Sequence, residues 1–124
     1  ASIKGKINDE AIIKTIQLVG LDPISKKKYK KYSLGMKQRL GIAAAIMEAP
    51  DIVILDEPTN SIDSDGVEIV KKIIRQEKER GALVIISCHD IDILKNMSDE
   101  IYILDKGRIL KHIVSADKGE WISL

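Results

Sequence analysis

The chain has 124 residues, of which 44% are hydrophobic and only 3% aromatic, and its net charge is +1. This length allows one domain at most, with a modest core of aliphatic side chains, and the balanced charge predicts no nucleic-acid partner. The single cysteine, Cys88, excludes an intrachain disulfide, and no apolar stretch reaches the roughly 20 residues that a membrane-spanning helix needs.

The first part of the chain predicts two helices. Asn8 and Asp9 can cap the first, whose apolar side chains recur at helical spacing before Gly20 ends it. Ser33 is the expected cap of the second helix, which runs to about Glu48.

Strands and helices alternate in the rest of the chain. We expect a strand at 52–55, a helix at 66–80, a strand at 83–87 and a helix at 90–97, followed by a hairpin of strands 100–104 and 108–114. The tail predicts one short helical turn, with Trp121 docked on the body. The alternation predicts an α/β fold with a parallel sheet.

Two carboxylates directly follow the run Ile52 to Leu55, which reads as a buried strand. Ligands of open α/β sheets bind at the carboxyl ends of strands, so Asp56 and Glu57 predict a site for a magnesium ion and a phosphate-activated water. The alternative, a strand end followed by a turn at Pro58, does not explain why both acids abut an apolar run.

Motifs on both sides of these acids complete a recognisable pattern. Tyr32, Ser33, Leu34, Gly35 and Met36 precede the strand by about twenty residues, and Ser87-Cys-His89 follows the next strand. Together with the two acids, this order and spacing resemble the nucleotide-binding domain of an ATP-binding-cassette (ABC) transporter.

The resemblance implies a role for each motif. The segment Tyr32–Met36 stands where the family has its signature motif, LSGGQ, which contacts ATP bound to the opposite subunit. Ile52 to Glu57 matches the Walker B strand, so Asp56 would hold Mg²⁺ through a water and Glu57 would polarise the attacking water. His89 matches the switch histidine, which bonds the γ-phosphate. Asp63 ends the D-loop and would reach across the dimer.

The signature segment departs from LSGGQ at Tyr32, Leu34 and Met36 and keeps Ser33 and Gly35, the two residues expected to contact phosphate. This variant resembles bacterial exporters of peptide antibiotics and related ABC-2-type systems.

The phosphate-binding loop G-x-x-x-x-G-K-[ST] does not occur in the sequence. We therefore expect the C-terminal half of a cassette: a helical subdomain segment at 1–48 and, at 49–124, part of a RecA-like core without its Walker A half. This part alone is not expected to bind ATP or Mg²⁺, or to hydrolyse ATP.

The resemblance implies that the full-length protein couples ATP binding and hydrolysis to transport across a membrane. Its expected partners are a second nucleotide-binding domain in a head-to-tail dimer and a transmembrane permease subunit, at the cytoplasmic face of the cell membrane. Two alternatives remain open, a soluble ABC-type ATPase of DNA repair or translation and a regulatory fragment that hydrolyses nothing.

In this family the P-loop strand lies between strand 83–87 and strand 100–104, so its absence would leave strand 83–87 with an open edge. Open apolar edges invite pairing with another chain. We therefore expect one of three outcomes. A second copy of the chain fills the gap, the 100–114 hairpin shifts to close it, or the missing Walker A half of the cassette is physically present.

Overall fold

A computed structural model describes residues 9–22 and 33–124. Tyr32, the first residue of the predicted signature motif, lies outside these ranges. The chain divides into two compact units, one that ends at Cys88 and one from His89 to Leu124. Among the described residues, no helix has the length and apolar character needed to cross a membrane.

The two predicted helices of the first unit are present. Helix α1, Asp9–Leu18, carries two acids in its first turn and ends before Gly20, whose positive φ of 80° suits a glycine. Helix α2, Leu34–Ile46, begins after Ser33, whose Oγ accepts a hydrogen bond of 3.1 Å from the backbone N of Met36. The predicted serine cap is therefore confirmed.

A parallel pair of strands follows. Strand β1, Ile52–Asp56, pairs with β2, Leu83–Ser87, so that Asp56 stands opposite Ser87. Helix α3, Ser64–Glu79, connects them and buries Val70, Ile73 and Ile74. It begins two residues before the predicted start, because Asp63 caps it.

Arg80 ties the end of α3 to the segment before β1. Its guanidinium donates hydrogen bonds to the backbone oxygens of Ala49 and Pro50. Its side-chain hydrogen bond to Glu77 raises the pKa of Arg80.

The prediction that β1 is buried is wrong for one of its faces. Val53 and Leu55 are 2% and 6% exposed, whereas Ile52 and Ile54 are 55% and 68% exposed. Their register partners on β2, Leu83 and Ile85, are exposed as well. The described residues supply no second layer over this surface, which we call the open sheet face: Ile52, Ile54, Leu83 and Ile85.

The second unit begins with helix α4, Ile91–Met97, which Asp90 caps. Ile91, the first residue of this helix, is 39% exposed. Strands β3, Glu100–Asp105, and β4, Arg108–Ser115, form the predicted antiparallel hairpin. The tail contains the predicted short helical turn, a 3₁₀ turn at Asp117–Gly119. It then continues into a strand that was not predicted, β5, Trp121–Ser123, which pairs with β4.

These strands form two separate sheets, β1-β2 and β3-β4-β5. The parallel pairing of β1 with β2 agrees with the predicted parallel sheet. The hairpin pairs with β5 in a sheet of the second unit. Within the described part of the chain, β2 has β1 as its single strand neighbour.

Candidate functional site

Asp56 and Glu57 lie at the carboxyl end of β1, as predicted, and Ser87 of β2 joins them. The Ser87 hydroxyl donates a hydrogen bond to Oδ1 of Asp56. The backbone N of Glu57 donates to the carbonyl oxygen of Ser87 at 2.8 Å and approaches its Oγ at 3.2 Å. The ends of the two parallel strands are thus joined by a polar network around the carboxylates.

Glu57 adopts a left-handed backbone conformation, with φ of 49°. Such angles are uncommon outside glycine and persist where surrounding contacts determine them. The Glu57 carbonyl oxygen accepts hydrogen bonds from Nε2 of Gln38 at 2.8 Å and from the backbone N of Asn60 at 3.1 Å. Both backbone polar groups of Glu57 are therefore held.

The amino terminus of α2 lies against the loop that follows β1. A Cβ atom placed on Gly35 would come within 3.1 Å of the carbonyl oxygen of Ser61, so this close approach favours glycine. Leu34 at the start of the helix is 67% exposed, and Ser33 is exposed as well. The described part of the signature segment, Ser33 to Met36, is thus accessible at its first residues.

Asp63, the predicted D-loop acid, makes two contacts within the chain. Its Oδ1 accepts a hydrogen bond of 2.8 Å from the backbone N of Gly66 and lies 3.5 Å from Nη2 of Arg39. Its side chain is 72% exposed, whereas that of Arg39 is 21% exposed. Asp63 is therefore a helix cap, and its role across a dimer stays a prediction.

His89 is exposed and belongs to the second unit, directly before the cap of α4. The other predicted site residues that the structure describes belong to the first unit. The role of His89 beside Glu57 therefore stays a prediction.

A cleft between α2 and β1 opens beside Asp56 and has a volume of about 180 Å³. Its lining includes Gln38, Gly41, Ala45 and Pro58. Ligand pockets commonly have volumes of roughly 300–1,000 Å³, so this cleft alone is too small for a nucleotide.

The donor set around Asp56 suits magnesium better than a metal held by protein ligands alone. In the described residues, no three His, Cys, Asp or Glu side chains converge as a metal site. Mg²⁺ usually keeps several waters and takes one or two carboxylates together with substrate phosphates. Asp56 fits this habit, because Ser87 orients its carboxylate at the exposed end of the strand.

Sequence reasoning missed three residues at this site: Ser87, Gln38 and Arg39. Ser87 could have been found, because parallel pairing of strands 52–56 and 83–87 places it opposite Asp56. Gln38 and Arg39 gave no such signal, since their contacts depend on how α2 packs against the loop.

Comparison with known proteins identifies the fold and shows which family the chain resembles. Residues 3–60 match the family model described as ABC transporter. The ATP-binding cassette MJ0796, in a dimeric post-hydrolysis state bound to ADP and Pi, superposes with a TM-score of 0.77 at 24% identity, over 88% of this chain and 49% of that one. A second dimeric structure of this cassette gives a TM-score of 0.75 at 25% identity, over 83% and 45%. The fold is therefore that of an ATP-binding cassette.

Curated relatives point to the same family. An uncharacterized ABC transporter ATP-binding protein of Bacillus subtilis, YybJ, is 46% identical over 88% of this chain and 50% of its own length. The bacitracin transport protein BcrA of Bacillus licheniformis is 40% identical over 91% and 37%, and the lantibiotic transport protein SrtF of Streptococcus pyogenes is 38% identical over 84% and 45%. The chain is similar to ABC transporter ATP-binding proteins over most of its length, and it spans half or less of the length of these relatives.

Proposed function

We propose that the full-length protein is the ATPase subunit of a transporter. This chain supplies the carboxylate that polarises the attacking water, that of Glu57, and the helix that carries the signature motif. The observation that carries the proposal is the network at the end of β1, where Ser87 holds Asp56 and the backbone of Glu57. The relatives described above are named for transport, so the alternative of DNA repair or translation has no support from them.

Phosphoryl transfer depends on the positioning of the attacking water and on charge stabilisation. In our proposal, the carboxylate of Glu57 accepts a hydrogen bond from that water and polarises it for attack on the γ-phosphate of ATP. Asp56 would hold Mg²⁺, which would supply positive charge toward the phosphate oxygens. His89 donates to the γ-phosphate.

The signature segment is proposed to act on ATP bound to a second subunit in a head-to-tail dimer. The backbone N–H groups at the start of α2 and the dipole of this helix favour an anion at its amino end. Ser33 and Gly35 lie there with exposed neighbours, which supports a contact with phosphate. We propose that Asp63 also reaches the interface with the second subunit. It follows by two positions Ser61, whose carbonyl oxygen lies close to Gly35.

The names of two relatives support a proposal for the substrate class. BcrA is named for bacitracin transport and SrtF for lantibiotic transport, and both names refer to peptide antibiotics. We therefore propose export of a peptide antibiotic through a transmembrane permease subunit, with this protein bound peripherally at the cytoplasmic face of the membrane.

The test uses the full-length protein with its permease. Glu57→Gln removes the carboxylate that polarises water while keeping the shape of the side chain. We expect ATP binding close to that of the wild type, loss of most turnover, and a dimer that traps ATP, seen by sedimentation with Mg-ATP. Glu68→Gln, the same change at an exposed position on α3, is the control and should hydrolyse normally. Wild-type turnover in Glu57→Gln contradicts the proposal.

A further inference from the structure

One face of α2 lies along the loop that runs from Glu57 to Asp63. The residues three and four positions after Gly35 are Gln38 and Arg39, and this spacing places them on the same side of the helix as Gly35. Arg39 meets the end of the loop at Asp63, Gly35 meets its middle at Ser61, and Gln38 meets its start at Glu57.

Of these three contacts, the one made by Gln38 reaches the proposed hydrolytic residue. Its side-chain amide donates a 2.8 Å hydrogen bond to the Glu57 carbonyl oxygen, across 19 positions of sequence. The bond is partly buried, and charge is not involved, so its contribution depends on geometry more than on salt.

The conformation of Glu57 explains why such a bond matters. A left-handed φ at a residue with a side chain is strained and persists when neighbouring contacts enforce it. Ser87 fixes the N–H side of Glu57 from β2, and Gln38 fixes the carbonyl side from α2. Without Gln38, the backbone N of Asn60 alone would hold the carbonyl oxygen, and the position of the carboxylate would be less strictly fixed.

We propose that Gln38 is a positioning residue for Glu57, and that it couples the signature helix to the hydrolytic carboxylate. The proposal rests on the proposed function, in which Glu57 polarises the attacking water. Because Gln38 follows Ser33 on the same rigid helix by little more than one turn, a displacement of the helix end by a bound phosphate is passed to the backbone of Glu57.

The test compares variants of the full-length protein. Gln38→Leu removes the donor and keeps an apolar stem, and Gln38→Glu places an acceptor against the Glu57 carbonyl. Gln76→Glu, at an exposed position of α3, is the matched control. The measurements are kcat, KM, the equilibrium affinity for an ATP analogue that is not hydrolysed, and the midpoint of thermal unfolding.

We expect kcat to fall by up to about 10²-fold in both Gln38 variants, the order that a misplacement of about 1 Å can cause, with KM, nucleotide affinity and the unfolding midpoint near those of the control. In a Glu57→Gln background, neither Gln38 change should lower the residual single-turnover rate further, because the residue through which Gln38 acts is already inactive.

Other results overturn the inference. Unchanged kcat in both Gln38 variants shows that the bond does not position the carboxylate. A fall in kcat that is matched by lost affinity or a lower unfolding midpoint shows a structural role instead. Losses that add to that of Glu57→Gln show an independent role. Failure of the proposed function itself is distinguishable, because Glu57→Gln would then turn over normally.

Discussion

Ser87 and Asp56, 31 positions apart in sequence, are joined by a hydrogen bond from the serine hydroxyl to Oδ1 of the aspartate. The parallel register makes this possible, because the two residues are partners at the last position of β1 and β2. The same hydroxyl lies 3.2 Å from the backbone N of Glu57. One small side chain on β2 therefore orients both residues proposed for hydrolysis.

Replacement of Ser87 should disturb this network without breaking the sheet. Ser87→Ala removes the donor to Asp56, and we expect a loss of about 1 kcal/mol in the free energy of unfolding, together with lower turnover. Ser87→Thr retains a hydroxyl and should keep most of both. Urea unfolding and steady-state ATPase assays of the full-length protein check this, with Ser123→Ala, at an exposed position of β5, as control. Equal turnover in the Ala and Thr variants contradicts the assigned role.

The two contacts of Asp63 can be separated by substitution. Asp63→Ala removes the cap of α3 and should destabilise the protein by about 1 kcal/mol, whereas Asp63→Asn retains a capping oxygen and should lose a few tenths. The small cost of the Asn variant reflects the long 3.5 Å pair with Arg39. Urea unfolding measures both variants.

If Asp63→Asn is as unstable as Asp63→Ala, the ion pair dominates and the cap is secondary. If the Asp63→Asn protein is stable, it also separates the effect of the Asp63 charge on dimerisation from its effect on folding. ATP-driven dimerisation can then be measured in a protein that folds like the wild type.

Two glycines inside helices should respond oppositely to alanine. A Cβ on Gly66 would lie 1.8 Å from Cγ2 of Ile62 and 2.9 Å from Nη2 of Arg39, so Gly66→Ala should cost about 1–3 kcal/mol through overpacking. A Cβ on Gly41 meets no heavy atom within 4 Å. Gly41→Ala should therefore stabilise the protein by about 0.5–1 kcal/mol, because alanine is the better helix former.

The shift in the midpoint of thermal unfolding shows whether each variant is more or less stable than the wild type. A stable Gly66→Ala protein would mean that Ile62 moves aside at little cost. A destabilised Gly41→Ala protein would contradict the prediction for this position.

Local signals in the sequence predicted most of the secondary structure. Ser33 and Gly20 marked helix ends through their own chemistry, and the run Ile52 to Leu55 identified β1. The start of α3 was predicted two residues late, because Asp63 was assigned to a loop motif and its capping oxygen was overlooked.

The features that sequence reasoning missed depend on packing between segments. Strand β5 contains three residues and forms because β4 offers it an edge, so its own pattern carries little signal. The contact of Gln38 with Glu57 depends on the placement of α2. The exposure of Ile54 depends on what covers the sheet, which an apolar pattern cannot reveal.

The open sheet face should make the 124-residue chain self-associate when it is prepared alone. Its four aliphatic side chains form a contiguous surface on a two-stranded sheet, and an uncovered apolar surface and strand edge favour pairing with another copy.

Ile54→Lys with Ile85→Glu puts opposite charges on register partners of this face, which a strand pair tolerates. We expect sedimentation velocity to show oligomers for the parent chain and a shift toward monomer for this double variant. Leu104→Lys with Ile109→Glu is the matched control, because these residues are also exposed register partners, on the β3-β4 hairpin. An equal shift in the control would show that the association does not depend specifically on the open sheet face, and a monomeric parent chain would contradict the prediction outright.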